Sequence, residues 1–231
     1  MIRVILWDVD GTLLDFLAAE KAAIEFCFAH FGLGPCSPEQ ISRYSAINLK
    51  YWKGLENGLY TKPQALVGRF EEFFTGEGID PALAVPFNEE YQLRLGDTVC
   101  FMDDSYQLID SLRGKVGQYA VTNGTRVAQE KKLSKSGLVN LFDGVFISEL
   151  VGAEKPSPIF FDHVFSHIGP VDREEVLIVG DSLTSDMRGG LNAGIRCCWY
   201  NPKSLPAPEG MKLHYTIENL NQVKDILAKE A

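Results

Sequence analysis

The amino-acid sequence predicts an α/β fold: a doubly wound parallel sheet of the Rossmann type with an inserted helical bundle. Short, continuously apolar runs alternate with helical segments, which is typical of parallel strands covered by helices on both faces. A long interval without a convincing strand follows the first run, and it is longer than one crossover connection needs. The length of 231 residues is sufficient for a core with such an insertion.

Five strands and five helices are predicted for the sheet-forming part of the chain. The strands are expected at residues 3–7, 118–121, 144–147, 176–179 and 195–200. The helices are expected at residues 105–113, 125–136, 158–167, 185–193 and 220–228. A glycine lies just past each of the first four helices, where a left-handed helix end forms most easily. Strands and helices therefore alternate, as in a doubly wound domain.

The predicted insertion is a helical domain at residues 16–100, and residues 1–15 and 101–231 form the core domain. Residues that are apolar apart from Asn48 recur at helical spacing on three successive segments of the insertion, so that each set shares one helical face. These sets are Leu17, Ile24, Phe28 and Phe31; Ile41, Tyr44, Asn48 and Trp52; and Leu66, Phe70 and Phe73. Prolines between the segments mark helix boundaries, so we expect a small helical bundle.

Composition and charge argue against several classes of function. The chain has 22 basic and 31 acidic residues, and its net charge of −9 repels the phosphate backbone of DNA or RNA. No apolar run approaches the roughly 18 residues of a membrane helix, and the apolar start is too short for a secretory signal. The five cysteines include no Cys-x-x-Cys pair and are expected to be reduced. We expect a cytoplasmic protein that binds neither membranes nor nucleic-acid polymers, and the sequence does not predict its oligomeric state.

Two carboxylates follow the first predicted strand. Asp8 and Asp10 are two positions apart, so in extended backbone both side chains point the same way. Two like charges this close raise at least one pKa, which suits one carboxylate as a nucleophile or metal ligand and the other as a general acid. Asp and Gly are also common in turns at strand ends, and the motif alone leaves that alternative open.

Two further polar clusters follow the second and third predicted strands. Thr122, Asn123 and Gly124 bring a hydroxyl, an amide and free backbone N–H groups to a helix start, which is a phosphate-sized cradle. An ordinary helix cap uses the same residue types. Lys155 precedes Pro156 in a stiffened turn and could neutralise an anion, although a lone lysine is usually solvated surface.

Two more acids, Asp181 and Asp186, follow the fourth predicted strand. Carboxylate oxygens suit Mg²⁺, although Asp186 could instead cap the next helix. If these acids converge with Asp8 and Asp10 on Lys155, each pair of carboxylates about 4 Å apart costs on the order of 4 kcal/mol. Mg²⁺ and a proton on Asp10 would bring the site near neutrality, so this arrangement requires a divalent cation before a phosphate dianion can enter.

Four motifs, in this order along the chain, resemble those of the haloacid dehalogenase superfamily of aspartate-nucleophile phosphohydrolases. They are Asp8-x-Asp10-Gly-Thr, Thr122-Asn-Gly, Lys155-Pro and Gly-Asp181-Ser-x-x-x-Asp186. The resemblance covers nearly the whole chain. It implies that Asp8 attacks phosphorus to form an aspartyl-phosphate and that Asp10 protonates the leaving oxygen and later activates water. Covalent catalysis by a carboxylate needs such a general acid. The residue types at these positions, considered without the resemblance, favour the same two roles.

The same resemblance implies the remaining roles. Thr122 and Lys155 would hold the transferring phosphoryl group, with Asn123 beside them. Asp8, Asp181 and the backbone carbonyl of Asp10 would bind Mg²⁺, and Asp186 would support them. The insertion resembles the helical cap that closes over the site in this superfamily. True dehalogenases lack an acid at the place of Asp10, so its presence indicates phosphoryl transfer.

The substrate prediction depends on residues of the cap. Several short segments resemble a bacterial branch of pyrimidine 5′-nucleotidases, which hydrolyse nucleoside monophosphates. They are Asn48-x-x-x-Trp52, Asn57-Gly58, Gly68-Arg69-Phe70, Ile147-Ser148-Glu149 and Trp199-Tyr200-Asn201. The resemblance implies that Trp52 or a nearby aromatic residue stacks on the base and that Asn48 reads its edge, with Arg69 as a further substrate-binding candidate. Such polar residues are also often satisfied by a neighbouring loop.

Three functions therefore remain under consideration. The favoured one is a Mg²⁺-dependent phosphomonoesterase acting on a small phosphate ester, a nucleoside 5′-monophosphate. A sugar phosphatase or a phosphomutase resembling β-phosphoglucomutase would share the four motifs, and release of free phosphate separates the mutase from the esterases. A receiver-type signalling module also has an acidic pocket, a Thr and a Lys, but it needs no long helical insertion and should show negligible turnover.

Overall fold

The computed structural model describes residues 1–230 and has a six-stranded parallel sheet at its centre. The strand order is β3-β2-β1-β4-β5-β6. The strands are β1 (Val4–Trp7), β2 (Gly117–Thr122), β3 (Gly144–Ile147), β4 (Val176–Gly180), β5 (Arg196–Tyr200) and β6 (Tyr215–Ile217). The predicted α/β class with a parallel sheet is confirmed.

Strand β1 occupies the middle of the sheet and sets the position of the site. Trp7, its last residue, lies opposite Ala120 of β2 and Val179 of β4. Side chains alternate along β1: Val4 and Leu6 enter one hydrophobic core, and Ile5 and Trp7 enter the other. The carboxyl ends of β1, β2 and β4 therefore lie side by side, where ligands bind in open α/β sheets.

Helices cover both faces of the sheet. They are α5 (Ser105–Leu112), α6 (Arg126–Ser136), α7 (Ser148–Val151), α8 (Pro158–His167), α9 (Arg188–Ala193) and α10 (Val223–Lys229). A π-helical turn, Leu183–Met187, precedes α9 and occupies the first half of the helix predicted at residues 185–193. A 3₁₀ turn at Leu220–Gln222 likewise precedes α10. The five helices predicted for the core are thus present with small shifts at their ends.

The interval after β1 contains four helices and no strand. They are α1 (Phe16–His30), α2 (Pro38–Glu56), α3 (Lys62–Glu77) and α4 (Ala84–Leu95). Helices α2 and α3 each begin with a proline in the first turn and a capping box, formed by Ser37 with Gln40 and by Thr61 with Gln64. Phenylalanine and tyrosine rings from α1 to α4 pack together in a third hydrophobic core.

Among the strands and α-helices, three were not predicted from the sequence: β6, α4 and the single turn α7. Strand β6 has three residues, too few for a periodic pattern, and it forms because β5 offers a free edge. The predicted face of α1 is also partly wrong, since Leu17 is 56% exposed whereas Ile24 and Phe28 are buried. Leu17 lies in the first turn of α1.

The chain passes between the helical bundle and the sheet through two segments that pair with each other. The amide of Asp15 donates to the Cys100 carbonyl at 2.8 Å, and the amide of Met102 donates to the Leu13 carbonyl at 2.9 Å. Both crossings therefore lie at one place beside the end of β1. Among residues 1–230, no helix combines the length and the apolar character needed to cross a membrane.

Candidate active site

Asp8, Lys155 and Asp186 come together at the carboxyl edge of the sheet. Asp8 follows β1 directly, and its amide donates to the Val179 carbonyl of β4 at 2.9 Å. The Lys155 ammonium donates to Oδ1 of Asp8 at 2.8 Å and to Oδ1 of Asp186 at 2.7 Å. A third bond, of 2.8 Å, runs from the ammonium to the Val121 carbonyl at the end of β2. Side chains from three distant motifs thus form one buried cluster.

Asp181 joins this cluster through the loop after β4. One carboxylate oxygen from each of Asp8, Asp181 and Asp186 lies within 4.8 Å of the others. Two glycines make room for them. A Cβ on Gly180 would lie 2.3 Å from Oδ2 of Asp186, and a Cβ on Gly11, at φ +87°, would lie 2.8 Å from Oδ2 of Asp181. No residue with a side chain fits at either position without displacing a carboxylate.

The cluster has the chemistry of a divalent-cation site. Three carboxylates face one ammonium, which leaves an excess of negative charge at a mostly buried place. No backbone amide of residues 1–230 donates to the Asp10 carbonyl, so that oxygen is free as a further ligand. Hard oxygen donors of this kind fit Mg²⁺, which typically uses one or two carboxylates and fills its other positions with water and phosphate oxygens.

The charges in the cluster shift one another's pKa values. Burial, followed by repulsion from Asp186, raises the pKa of Asp8 to about 7. Burial disfavours the charged form of Lys155, but the carboxylates of Asp186 and Asp8 outweigh it and raise the pKa of this ammonium. Lys155 is therefore a permanent cation. The ionised form of Asp8 is disfavoured by its surroundings, and a bound cation would stabilise it.

The raised pKa of Asp8 predicts a pH dependence of stability. A carboxyl with a higher pKa in the folded than in the unfolded chain binds more protons when folded between the two values. The Asp8 contribution to the free energy of unfolding should therefore fall as pH rises from about 4 to about 7. We expect the Tm of the metal-free protein to fall more over this range than that of Asp8→Asn, and Mg²⁺ to raise the wild-type Tm at pH 8. Thermal unfolding at several pH values, with chelator or Mg²⁺, measures both effects; parallel profiles of the two proteins would contradict the assignment.

Thr12 is a site residue that the sequence analysis did not select. It is fully buried, and its hydroxyl lies 2.9 Å from Oδ2 of Asp8 and 3.4 Å from Oδ1 of Asp181. The same oxygen accepts the backbone N–H of Asp181 at 3.1 Å. Thr12 thereby ties the loop after β1 to the loop after β4. Its place in the Asp-x-Asp-Gly-Thr motif was the available signal.

The loop after β2 lies against Lys155 as predicted, but its side chains are largely engaged. Thr122 is buried, and its hydroxyl accepts the Gly124 amide at 3.1 Å. Asn123 exchanges two 2.8 Å hydrogen bonds with the backbone of Lys155. Asn123 thus positions the lysine, a contact that the sequence did not predict, while its proposed contact with substrate stays a prediction.

Asp10 is oriented differently from the other three acids. The sequence analysis placed its carboxylate around Lys155, whereas in the structure it contacts Lys132 and accepts the Gln129 amide at 2.6 Å. Both partners lie on α6, and their contacts with Asp10 were not predicted. The ammonium of Lys132, 2% exposed, is a nearer cation for Asp10.

The cap residues Asn48 and Arg69 bind each other inside the helical bundle. Arg69 donates to Oδ1 of Asn48 at 2.6 Å and to Asn88 at 3.1 Å, and Asn48 donates to Glu20 at 2.6 Å. All but Asn88 are at most 2% exposed. Trp52, on the same face of α2 as Asn48, is half-buried. These polar groups are satisfied by neighbours, which was the alternative left open by the sequence.

Other cap residues reach the core loops that carry the site. Lys62, at the start of α3, donates to the Gly124 carbonyl at 3.2 Å and to the Ser148 hydroxyl at 2.8 Å. Glu56, at the end of α2, accepts the Thr184 hydroxyl in the loop after β4. The two ends of the α2–α3 loop therefore each contact a segment that follows a strand of the sheet. Neither residue is predicted from the sequence, because a lone Lys or Glu near a helix end resembles ordinary solvated surface.

Comparison with known proteins agrees with this geometry. A family profile of haloacid dehalogenase-like hydrolases matches residues 2–194. The chain is 31% identical to the pyrimidine 5′-nucleotidase YjjG of Escherichia coli, over 97% of both chains. It is 33% identical to the pyrimidine 5′-nucleotidase PynA of Streptococcus pneumoniae, over 98% of this chain and 95% of that one. The magnesium-bound structure of the HAD-hydrolase YfnB from Bacillus subtilis superposes with a TM-score of 0.91, at 35% identity over 98% of both chains.

Proposed function

Because the chain belongs to the haloacid dehalogenase-like hydrolases, we propose that it is a Mg²⁺-dependent phosphomonoesterase that forms an aspartyl-phosphate on Asp8. One observation carries this proposal: a buried carboxylate is held between the Lys155 ammonium and the Thr12 hydroxyl, with two further carboxylates beside it. A nucleophile fixed in this way attacks without further ordering, which is the main advantage that an enzyme offers in phosphoryl transfer.

The reaction would proceed in two balanced steps. An Asp8 oxygen bonds to phosphorus while the bond from phosphorus to the leaving oxygen breaks, and Asp10 gives its proton to that oxygen. Asp10 then takes a proton from water, whose oxygen bonds to phosphorus as the bond to Asp8 breaks and phosphate is released. Lys155 and Thr122 neutralise and orient the phosphoryl oxygens.

Asp8, Asp181 and the Asp10 carbonyl would hold Mg²⁺, and Asp186 would support them from beside Lys155. The cation supplies electrostatic stabilisation of the phosphoryl oxygens when bound. The magnesium named in the YfnB structure, together with the charge excess of this cluster, supports the assignment.

We propose nucleoside 5′-monophosphates, in particular pyrimidine nucleotides, as the substrates. The two relatives named as pyrimidine 5′-nucleotidases support this choice because each is aligned over nearly its whole length. Stacking of the base on Trp52 stays a prediction. A direct role for Asn48 or Arg69 would require their bonds within the cap to open, so we expect them chiefly to hold α1, α2 and α3 in place.

We further propose that residues 16–100 act as a cap that closes over the substrate. Lys62 and Glu56 support this proposal, since they tie the α2–α3 loop to two of the core loops around the site. Gln92 of α4 adds a contact, accepting the Thr125 hydroxyl at 2.8 Å. A closed cap excludes bulk water and strengthens the electrostatic interactions inside.

Phosphate release from a panel of esters tests the proposed function. The panel contains uridine, cytidine and adenosine 5′-monophosphates, glucose 6-phosphate and β-glucose 1-phosphate, each with Mg²⁺ or with EDTA. We expect kcat/KM for the pyrimidine nucleotides to exceed that for the sugar phosphates by about 10-fold or more, and EDTA to abolish release. Preference for a sugar phosphate would refute the substrate class, isomerisation of β-glucose 1-phosphate would indicate a mutase, and turnover unaffected by chelation would refute the metal site.

A further inference from the structure

Two buried residues of α6 hold the carboxylate of Asp10. Gln129 donates to Oδ2 of Asp10 at 2.6 Å, and the ammonium of Lys132 contacts Oδ1. The two residues are three positions apart on the helix, so they present adjacent side chains on one face. They are 1% and 2% exposed, whereas the Asp10 side chain is 21% exposed. The Asp10 carboxylate is therefore held by α6 on one side and is partly exposed to solvent on the other.

This pairing is separate from the charge cluster around Asp8. Lys155 contacts Asp8 and Asp186, and Asp10 is not among the three carboxylates that lie within 4.8 Å of one another. Lys155 thus pairs with Asp8 and Asp186, whereas Lys132 pairs with Asp10. A buried ammonium is costly unless it is paired, so Lys132 strongly favours the orientation in which Asp10 accepts from it.

Gln129 also connects Asp10 with the predicted phosphate cradle. A Cβ on Gly124 would lie 2.1 Å from the Gln129 side-chain nitrogen, so the amide rests directly on the loop after β2. Its oxygen Oε1 is buried and has no hydrogen-bond partner among residues 1–230. An unpaired buried acceptor is costly, so this oxygen suits an O–H donor brought to it when the site is occupied.

We propose that Lys132 and Gln129 are positioning residues that hold Asp10, and that hydrolysis of esters with poor leaving groups depends on this positioning. The inference rests on the proposed function. Each oxygen of Asp10 keeps a second lone pair when it accepts from α6, so a proton can be carried toward the substrate side. As the bond from phosphorus to the leaving oxygen breaks, that proton moves to the leaving oxygen. The Asp10 carboxylate left behind is stabilised by the Lys132 ammonium and the Gln129 amide.

The test compares two esters that differ in their need for a proton. The leaving alcohol of uridine 5′-monophosphate must be protonated, whereas nitrophenolate leaves p-nitrophenyl phosphate without a proton. In Lys132→Met we expect the rate of leaving-group release in a single turnover, which reports the first step alone, to fall about 10²-fold for the nucleotide, with a much smaller change for p-nitrophenyl phosphate. The second step, in which Asp10 takes a proton from water, is common to both esters and does not enter this comparison. Lys135→Met is the matched control, because Lys135 lies on the same helix and its ammonium contacts the Asp97 carbonyl instead. It should leave the ratio of the two single-turnover release rates unchanged.

A double-mutant cycle separates positioning from loss of structure. In an Asp10→Asn background, Lys132→Met should produce no further fall in the single-turnover release rate for the nucleotide, because the group that it positions is gone. Equal losses on both esters, no loss on either, or additive losses in the cycle would overturn the inference. If Lys132→Met does not fold, Gln129→Leu carries the same comparison, with a smaller loss expected in the same direction.

Failure of this inference is distinguishable from failure of the proposed function. If the wild-type protein releases no phosphate from either ester, or if release does not require Asp8, the proposed function is wrong. If Asp10→Asn impairs the nucleotide selectively but Lys132→Met and Gln129→Leu do not, the function stands and only the positioning role is refuted.

Discussion

Asp8→Asn is expected to lower phosphate release on the order of 10⁴-fold or more, because the amide cannot form the covalent intermediate that the mechanism requires. The substitution is nearly isosteric, and it removes one of three crowded carboxylates from a site where burial and Asp186 already disfavour the charge. We therefore expect the variant to be at least as stable as the wild type without metal.

Steady-state phosphate release and thermal unfolding of the same preparation provide the measurements. Asp8→Glu is a useful companion, since it keeps the charge but moves the carboxylate by one methylene. It should remain almost inactive, because the nucleophile must be placed precisely. A folded Asp8→Asn protein with substantial turnover would eliminate the covalent step and require a different nucleophile.

Lys155→Met is expected to damage both activity and stability. Lys155 is 1% exposed and is the ammonium shared by Asp8 and Asp186. Removing one partner of a buried ionic network leaves uncompensated charge and typically costs about 3–5 kcal/mol of unfolding free energy. Turnover should fall by at least about 10²-fold, because the cation that we propose to neutralise the phosphoryl oxygens is lost.

A second substitution distinguishes the two effects. Adding Asp186→Asn to Lys155→Met removes one of the unpaired charges, so part of the lost stability should return while activity does not. Urea unfolding and phosphate release measure the two quantities independently. A Lys155→Met protein with the urea midpoint of the wild type would show that the network contributes little to stability.

Most of the charged residues at the centre of the site could be predicted from the sequence, because they follow the ends of strands. Asp8, Lys155, Asp181 and Asp186 lie in loops that follow β1, β3 and β4, and parallel strands bring such loops to one edge of the sheet. The convergence of these residues is thus a consequence of chain order and strand direction. Their exact hydrogen bonds were not needed to predict it.

The helical cap contains features that could not be predicted from the sequence. Helical periodicity located α1, α2 and α3. In α4 the buried Phe87, Tyr91 and Leu95 also recur at helical spacing, but the exposed apolar residues Val85 and Leu93 obscure that face in the sequence. Asn48 and Arg69 were selected because polar groups on an apolar face need partners. Which partner each one takes depends on the packing of α1, α3 and α4 against α2, and the structure provides Glu20 and Asn88 within the cap itself.

The sequence by itself determined the α/β class, the helical insertion, and the acids and lysine that follow the strands. Only the tertiary structure decided that the Thr12 hydroxyl bridges two loops. It also decided that Lys155 pairs with Asp8 and Asp186, and that Lys132 pairs with Asp10. The physical reason is the range of the interactions. Periodicity and strand order follow from local backbone geometry, whereas the choice of a partner for a buried charge depends on distances of a few ångströms between elements far apart in the chain.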